Sequence, residues 1–192
     1  MSKRLLIGNK VYLKPFGQED ISNEYISWFN DEEVCRDNSH GDPHNPYTFE
    51  KALGYLKSIE KSDTAYVFAI RGKENDKHIG NAALSSIDWK NKTGMCTIII
   101  GDKNYWGKGA GTEVYQLLLE YGFNTLGLQQ ITSGQTTRNH AMIKICENVG
   151  MNKQGLSSKK LHKNGEDLDI VVYAITKDEY HTFRKTMESA QT

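Results

Sequence analysis

Residues 101–114, GDKNYWGKGAGTEV, contain four glycines and join an apolar run to a helical pattern. The run before them, residues 95–100 (MCTIII), is apolar or threonine throughout, which predicts a strand buried on both faces near the middle of a sheet. After them, apolar residues recur at helical spacing: Val114, Leu117, Leu118 and Tyr121. The glycines therefore connect a central strand to the start of an amphipathic helix.

Strand and helix patterns alternate on both sides of this connection. The predicted strands are residues 11–16, 65–71, 79–88, 95–101, 129–135, 153–161 and 167–176. The predicted helices are residues 21–29, 49–59, 142–149 and 177–187, and one that follows the glycines and ends near Gly127. The order β-α-α-β-β-β-α-β-α-β-β predicts an α/β (α+β) architecture, a mixed sheet covered by helices. No linker or repeat divides the chain, which indicates one domain over residues 1–192.

Composition and charge exclude several classes of protein. Lysine plus arginine equals aspartate plus glutamate at 24 each, so no overall field attracts nucleic acid or an anionic membrane. The first residues hold too short an apolar run for a secretory signal, and no run approaches the roughly 18 residues of a membrane span. We therefore expect a cytoplasmic protein with neither partner. The cysteines Cys35, Cys96 and Cys146 are odd in number and widely spaced, which predicts reduced thiols and no metal.

The glycines at the predicted helix start are typical of an anion site. They allow the backbone to approach a ligand closely, and the free amides of the first turn, together with the helix dipole, favour a negative charge. Lys108 adds a positive charge, while Thr112 can cap the helix or offer its hydroxyl to a phosphate. The alternative is a plain glycine-rich connection with a capped helix. The predicted ligand is a phosphate or a pyrophosphate.

Two common phosphate motifs do not fit this stretch. A P-loop needs GxxxxGK[ST], whereas Lys108 precedes the later glycines instead of following the last. A dinucleotide fold needs GxGxxG in an early turn and an acidic residue about 20 positions on. Here the pattern is GxGxG in mid-chain, and the next predicted strand, QQITSGQ, carries no acid.

The sequence resembles the GCN5-related N-acetyltransferases (GNAT family). Their acetyl-CoA motif, [Q/R]-x-x-G-x-[G/A], lies between the fourth strand and the third helix, and it is similar to WGKGAG at residues 106–111, with Trp106 in place of glutamine or arginine. A second family motif, an asparagine before a helix that ends in a glycine turn, is similar to NHAMIKICENVGM at residues 139–151. Residues 11–31, VYLKPFGQEDISNEYISWFND, resemble the branch of ribosomal-protein N-terminal and amino-sugar acetyltransferases.

The resemblance implies a GNAT-like, mostly antiparallel sheet, with acetyl-CoA as co-substrate and no metal. In this family the amine attacks the thioester directly, so the enzyme orients the donor and stabilises the oxyanion. The helix-start amides would hold the pyrophosphate, the end of the fourth strand would pair with the pantetheine, and Asn139 would contact the pantetheine, cap its helix, or both. The implied cofactor-binding residues are Ile99, Ile100, Gly101, Gly107, Lys108, Gly109, Ala110, Gly111, Thr112 and Asn139.

The catalytic residues are less determined by the resemblance. Many family members have a tyrosine seven residues after the asparagine to protonate the thiolate, and that position is Cys146, which could donate weakly or be a small buried apolar residue. The fourth predicted strand has no carboxylate or histidine to act as a base. The remaining candidates are His40, Asp42 and His44, in the loop between the first two helices, and Asp88, at the end of the third strand. The aromatic residues Trp28, Tyr47 and Trp89 would line an acceptor pocket or belong to the core.

The sequence thus predicts an acetyl-CoA-dependent N-acetyltransferase that acts on a primary amine. The acceptor is left open between an amino sugar and a protein N-terminus. An inactive acyl-CoA-binding module and a transferase that uses another acyl-CoA are the alternatives. Because family members often dimerise, a homodimer is one implied state.

Overall fold

The computed structural model describes residues 5–189, and its elements follow the predicted order with two additions. The strands are β1 (Leu6–Ile7), β2 (Val11–Pro15), β3 (Tyr66–Gly72), β4 (His78–Asp88), β5 (Thr93–Ile100), β6 (Gln130–Thr136), β7 (Asn152–Lys163) and β8 (Glu166–Thr176). The helices are α1 (Asn23–Trp28), α2 (Glu32–Cys35), α3 (Phe49–Glu60), α4 (Ala110–Glu120), α5 (His140–Asn148) and α6 (Lys177–Ser189). A π-helical turn, Tyr121–Thr125, prolongs α4. Among the helices of residues 5–189, none is long and apolar enough to cross a membrane.

The two additions lie near the start of the chain. The short strand β1 pairs with β2 and was not predicted. The first predicted helix is two helices, because Asp31 caps the second one. Its carboxylate accepts hydrogen bonds from the backbone amides of Glu33 and Val34 at 2.9 and 3.0 Å, which starts a new helix after the turn at Asn30.

The strands form one sheet in the order β1-β2-β3-β4-β5-β6-β8-β7. Its neighbours pair in an antiparallel manner, apart from the parallel pair β5 and β6. The sheet is therefore mixed and mostly antiparallel, and β3, β4 and β5 form an antiparallel meander. Alternate residues of β3 pack into different apolar clusters: Phe68 and Ile70 join that of α4 and α5, while Ala69 joins that of α1 and α3. Helices thus cover both faces.

Strands β5 and β6 separate along their length. Residues 93–95 pair with residues 130–132. Beyond Met95, β5 stays paired with β4 as far as Ile100, and β6 stays paired with β8 as far as Thr136. A cleft therefore opens between the outer halves of two adjacent strands.

The cleft corrects one expectation from the sequence. Strand β5 is central, as its apolar run predicts, but its outer half is not buried on both faces. Thr97 is exposed, and residues 98–100 are half-buried. This half of β5 has β4 on one side and the open cleft, instead of a paired strand, on the other.

An ion cluster around the buried Asp20 connects the turn after β2 to the sheet. Asp20, whose side chain is fully buried, lies in a 3-10 turn after β2. Its carboxylate accepts hydrogen bonds from Lys14 Nζ at 2.8 Å, from Arg71 Nη2 at 2.7 Å and from the Gly17 amide at 3.0 Å. The cluster therefore joins β2, the turn and β3.

Candidate active site

The glycine-rich stretch forms the start of α4. Gly107 and Gly109 have φ of +70° and +83°, the left-handed region that side chains other than glycine rarely adopt. The helical hydrogen bonds begin with the Glu113 amide, which donates to the Gly109 carbonyl at 3.1 Å. The amides of residues 107–112 precede this bond, as expected for an anion site at a helix start. Gly109 is the N-cap, so of the two roles open to Thr112, capping the helix and contacting a phosphate, the capping role is excluded.

This loop is fastened to the turn between β1 and β2. Lys10 Nζ donates a hydrogen bond to the carbonyl oxygen of Lys108 at 2.7 Å. The Glu113 carboxylate accepts hydrogen bonds from the backbone amides of Lys10 and Val11 at 2.9 and 3.0 Å. The loop backbone is therefore held in place before any ligand arrives.

A cavity of about 560 Å³ lies between the outer halves of β5 and β6 and reaches the start of α4. Of the predicted cofactor-binding residues, its wall includes Ile99, Ile100, Gly107, Gly109, Gly111, Thr112 and Asn139. Within the described residues, the side chains of Lys108 and Ala110 do not line it: Lys108 is exposed, and Ala110 is buried under the helix. Gly101 is also not on the described wall: it is buried, and its amide donates to the Ile79 carbonyl at 2.9 Å.

Backbone direction along β5 identifies a residue that sequence reasoning missed. Successive residues of a strand direct their backbone groups to opposite sides. Because Gly101 donates toward β4, the backbone groups of Ile99 also face β4, whereas those of Ile98 and Ile100 face the cleft. The alternation of backbone directions along a strand could indicate Ile98 from the sequence, but only once the pairing of Gly101 with Ile79 is known.

Trp106, which departs from the family motif, has a defined partner in the structure. Its indole Nε1 donates a hydrogen bond to the carbonyl oxygen of Ile100 at 2.8 Å. This bond satisfies the last cleft-facing carbonyl of β5 and holds the strand end against the glycine loop.

A chain of polar side chains runs behind the cleft. Tyr115, fully buried on α4, contacts Ser133 Oγ at 2.8 Å, and Ser133 Oγ donates to Gln135 Oε1 at 3.1 Å. The Cys146 thiol donates to the same Gln135 oxygen, with Sγ at 3.7 Å. Burial raises the pKa of Cys146 to about 11 and that of Tyr115 well above its usual value. Both groups are therefore protonated near neutral pH.

The structure places Cys146 and Asn139 differently with respect to the cavity. Cys146 lies in the buried core, and within residues 5–189 it is not part of the cavity wall. Asn139 is the N-cap of α5: its Oδ1 accepts a hydrogen bond from the Met142 amide at 3.1 Å. Asn139 also lines the cavity.

The loop after α2 forms the other side of the cavity, but through residues that sequence reasoning did not select. Arg36, Asp37 and Asn38 are on the wall, whereas His40 is not among the lining residues that the structure describes. The His40 ring packs against Phe29 and Tyr47, with centroid distances of 4.7 and 5.7 Å. The residue remains exposed to solvent, but partial desolvation by the neighbouring groups lowers the pKa of His40, and the nearby Lys163 charge lowers it further.

The other predicted base, Asp88, is far from the cleft along its strand. It ends β4 at the turn into β5, whereas the cavity borders the opposite end of that strand pair. Its carboxylate accepts hydrogen bonds from the backbone amides of Lys90 and Asn91, and these bonds lower its pKa. Asp88 therefore stabilises the turn between β4 and β5.

Within the described residues, the other candidate bases and the aromatic residues considered for an acceptor pocket do not line the cavity either. They are Asp42, His44, Trp28, Tyr47 and Trp89. Trp28 is buried against Gly101, and the Trp89 indole donates to the Asp63 carbonyl at 3.0 Å. Asp42 accepts from the His44 amide at 2.8 Å, a contact typical of a loop.

Lys163, the last residue of β7, is hydrogen-bonded to the loop after α2. Its ammonium donates hydrogen bonds to the carbonyl oxygens of Cys35, Asn38 and His40 at 2.6, 2.8 and 2.5 Å. Asp37 is held in a similar way, by Arg138 Nε at 2.9 Å. The end of β7 and the connection between β6 and α5 thus hold the shape of the loop that faces the cleft.

Comparisons with known proteins agree with this geometry. Residues 10–152 match the family model described as acetyltransferase (GNAT) domain. The chain is 29% identical to the probable N-acetyltransferase YjcK of Bacillus subtilis, over 89% of this chain and 96% of that protein. It is similar in structure to the Vibrio cholerae spermidine N-acetyltransferase in complex with CoA and spermine (TM-score 0.79, 18% identity, 90% and 98% of the two chains). A ribosomal-protein-S5-alanine acetyltransferase from Vibrio fischeri is similar as well (TM-score 0.79, 19% identity, 92% and 98%).

The protein therefore belongs to the GNAT family, and it is an N-acetyltransferase. The family uses acetyl-CoA as acetyl donor. The residues present fit that molecule: amides at a helix start for its phosphates, and an open strand edge for its amide-containing arm. Among residues 5–189, no group of three histidines, cysteines or carboxylates is arranged for a metal ion.

Proposed function

We propose that the protein transfers the acetyl group of acetyl-CoA to a primary amine by direct attack of the amine on the thioester. The observation that carries this proposal is the cleft between β5 and β6, which leads from the start of α4 to the loop at residues 36–38. One end suits the donor and the other end is open to an acceptor. A single step without an acyl-enzyme needs both molecules side by side in this way.

Each part of the cleft has a proposed task toward the donor. The amides that precede α4, at Gly107 to Thr112, hold the pyrophosphate. The cleft-facing backbone groups of Ile98 and the amide of Ile100, whose carbonyl Trp106 already satisfies, bind the pantetheine as an added strand would, and Asn139 contacts the same arm. An amide of β5 stabilises the oxyanion that forms when the amine attacks.

The charges on the cavity wall favour an acceptor with one amine. Two acidic residues, Glu33 and Asp37, and two basic residues, Arg36 and Lys144, line the cavity. Glu33 pairs with Lys103 at 2.7 Å, and Asp37 pairs with Arg138. Because a polyamine needs an excess of negative charge, we propose an amino sugar or a protein N-terminus.

The amine also has to lose a proton. Since neither His40 nor Asp88 is on the described wall, we propose that the proton leaves through water in the cleft next to Asp37. Cys146 donates to Gln135 and takes no direct part in this proposal.

The proposal is tested by thiol release from acetyl-CoA against nucleotide-linked amino sugars, N-terminal peptides, polyamines and aminoglycosides. We expect release with a monoamine class and little with spermidine. Preference for spermidine would contradict the acceptor assignment. A rise in melting temperature with acetyl-CoA but no release on any amine would favour the inactive module. Faster thiol release from a longer acyl-CoA would favour the other alternative, a transferase that uses another acyl-CoA.

Replacement of Lys163 by methionine is expected to raise the KM for the amine about tenfold, a loss of about 1.4 kcal/mol in acceptor binding. The variant removes the ammonium that three loop carbonyls accept from, so the loop no longer keeps its shape. The matched control is Lys160→Met on the same strand, where the lysine forms an exposed pair with Asp169. Equal KM values for the two variants would contradict a role of the loop in acceptor binding.

A further inference from the structure

Gln135, a residue of the cavity wall, has a side-chain donor that no group among the described residues uses. The residue lies on β6, is 6% exposed, and lines the cavity wall. Its side-chain Nε2 is fully buried and, within residues 5–189, has no hydrogen-bond partner. A buried donor without a partner costs about 1 to 3 kcal/mol, which indicates that the group has a partner in the working enzyme.

The polar chain behind the cleft fixes the direction of this amide. Ser133 and Cys146 both donate to Oε1, at 3.1 and 3.7 Å. An amide oxygen can accept two such bonds, whereas Nε2 can only donate. The oxygen therefore has two donors, whereas the nitrogen, buried next to the cavity wall, has no partner among residues 5–189.

The position of Gln135 on β6 brings it near the point where the two strands separate. Continuing the parallel register beyond the last pair, Met95 with Thr132, sets Gln135 opposite Ile98. Ile98 is the residue whose backbone groups face the cleft. Gln135 therefore lies where the reacting end of a donor bound along β5 would be.

We propose that the side-chain amide of Gln135 donates a hydrogen bond to the sulfur of bound acetyl-CoA. This inference rests on the proposed function. As the amine nitrogen forms a bond to the acetyl carbon, the carbon–sulfur bond breaks and its electron pair goes to sulfur. The hydrogen bond to Gln135 strengthens as this negative charge grows, so it stabilises the transition state more than the bound donor. No proton leaves Gln135. The thiolate takes up the proton that the amine releases, through water.

The first test follows the side-chain amide itself. In protein labelled with ¹⁵N-glutamine, the Gln135 signals are assigned by their loss in Gln135→Leu. We expect acetyl-CoA to shift them, and acetyl-dethia-CoA, in which a methylene replaces the sulfur, to bind without the same shift. Equal shifts with both molecules, or no shift at saturation, would overturn the inference. If acetyl-CoA neither moves any signal nor raises the melting temperature, the proposed function itself fails.

The second test separates a contact in the transition state from a structural role. Gln135→Leu is expected to lower kcat by about 10-fold to 100-fold with little change in the affinity for acetyl-CoA, because loss of one transition-state donor has an effect of this order or larger. Gln130→Leu on the same strand is the matched control, since Gln130 pairs with Thr93 and Thr176 at the closed end. A wild-type kcat in Gln135→Leu would contradict the inference. So would losses of kcat and of acetyl-CoA affinity in Gln135→Leu that equal those in Gln130→Leu.

Discussion

Gly107→Val is expected to weaken the binding of acetyl-CoA by about a hundredfold, which corresponds to about 2.8 kcal/mol. Valine disfavours the φ of +70° that this position adopts, so the amides before α4 lose their direction. The Cβ would also enter free space at the cavity wall, where we propose that the pyrophosphate lies. Isothermal titration with acetyl-CoA and with coenzyme A measures the loss.

The chain offers a matched control for this substitution. Gly127 has a φ of +72° and, like Gly107, nothing within 4 Å of an added Cβ, but it lies in the turn before β6, away from the cavity. Gly127→Val should therefore have a similar cost in stability, about 1 to 2 kcal/mol, and bind acetyl-CoA as the wild type does. Similar affinities for the two variants would contradict the anion site at the start of α4.

Asp20→Ala is expected to lower the free energy of unfolding by about 3 kcal/mol. The fully buried carboxylate of Asp20 accepts hydrogen bonds from Lys14, Arg71 and the Gly17 amide. Its removal leaves two cations, each 19% exposed, without their common partner. Loss of one member of a buried ion cluster is costly for this reason. Urea unfolding of both proteins at pH 7 measures the difference.

The same variant has a predicted pH dependence. Burial alone would raise the pKa of Asp20, but the hydrogen bonds from Lys14, Gly17 and Arg71 outweigh it and lower the pKa. The stabilisation is thus complete above the unfolded pKa of about 3.9 and is lost as the pH falls through the folded value. The difference between wild type and Asp20→Ala should be constant above about pH 5 and shrink in more acidic solution. A difference that stays constant down to pH 2 would contradict this account.

Local patterns were enough for much of the fold. The spacing of Val114, Leu117, Leu118 and Tyr121 predicted α4, and turn residues separated the three strands of the meander. The glycines before α4 pointed to a helix start of special conformation, and two of them have positive φ. Such features depend on residues close together in the chain, so a sequence shows them directly.

The site was less accessible, because it depends on contacts between distant segments. Gly101 belongs to the motif region, yet its amide pairs with Ile79, which strand pairing alone determines. Asp37 reaches the wall because Arg138 holds it from 101 positions away. For Gln135 there was a signal: it continues the inward series of Ile131 and Ser133 on β6, so a polar side chain at a buried position was foreseeable.

The separation of β5 and β6 also bears on the access of other chains to the unpaired length of β5. An unpaired strand edge is a template on which other chains add strands and aggregate. Here the unpaired length of β5 lies inside the sheet, between β4 and the diverging β6, where another protein's strand has little room. A narrow, flexible molecule can still enter. The protein thus retains the binding capacity of an edge strand while shielding it from the misassembly that exposed edges invite.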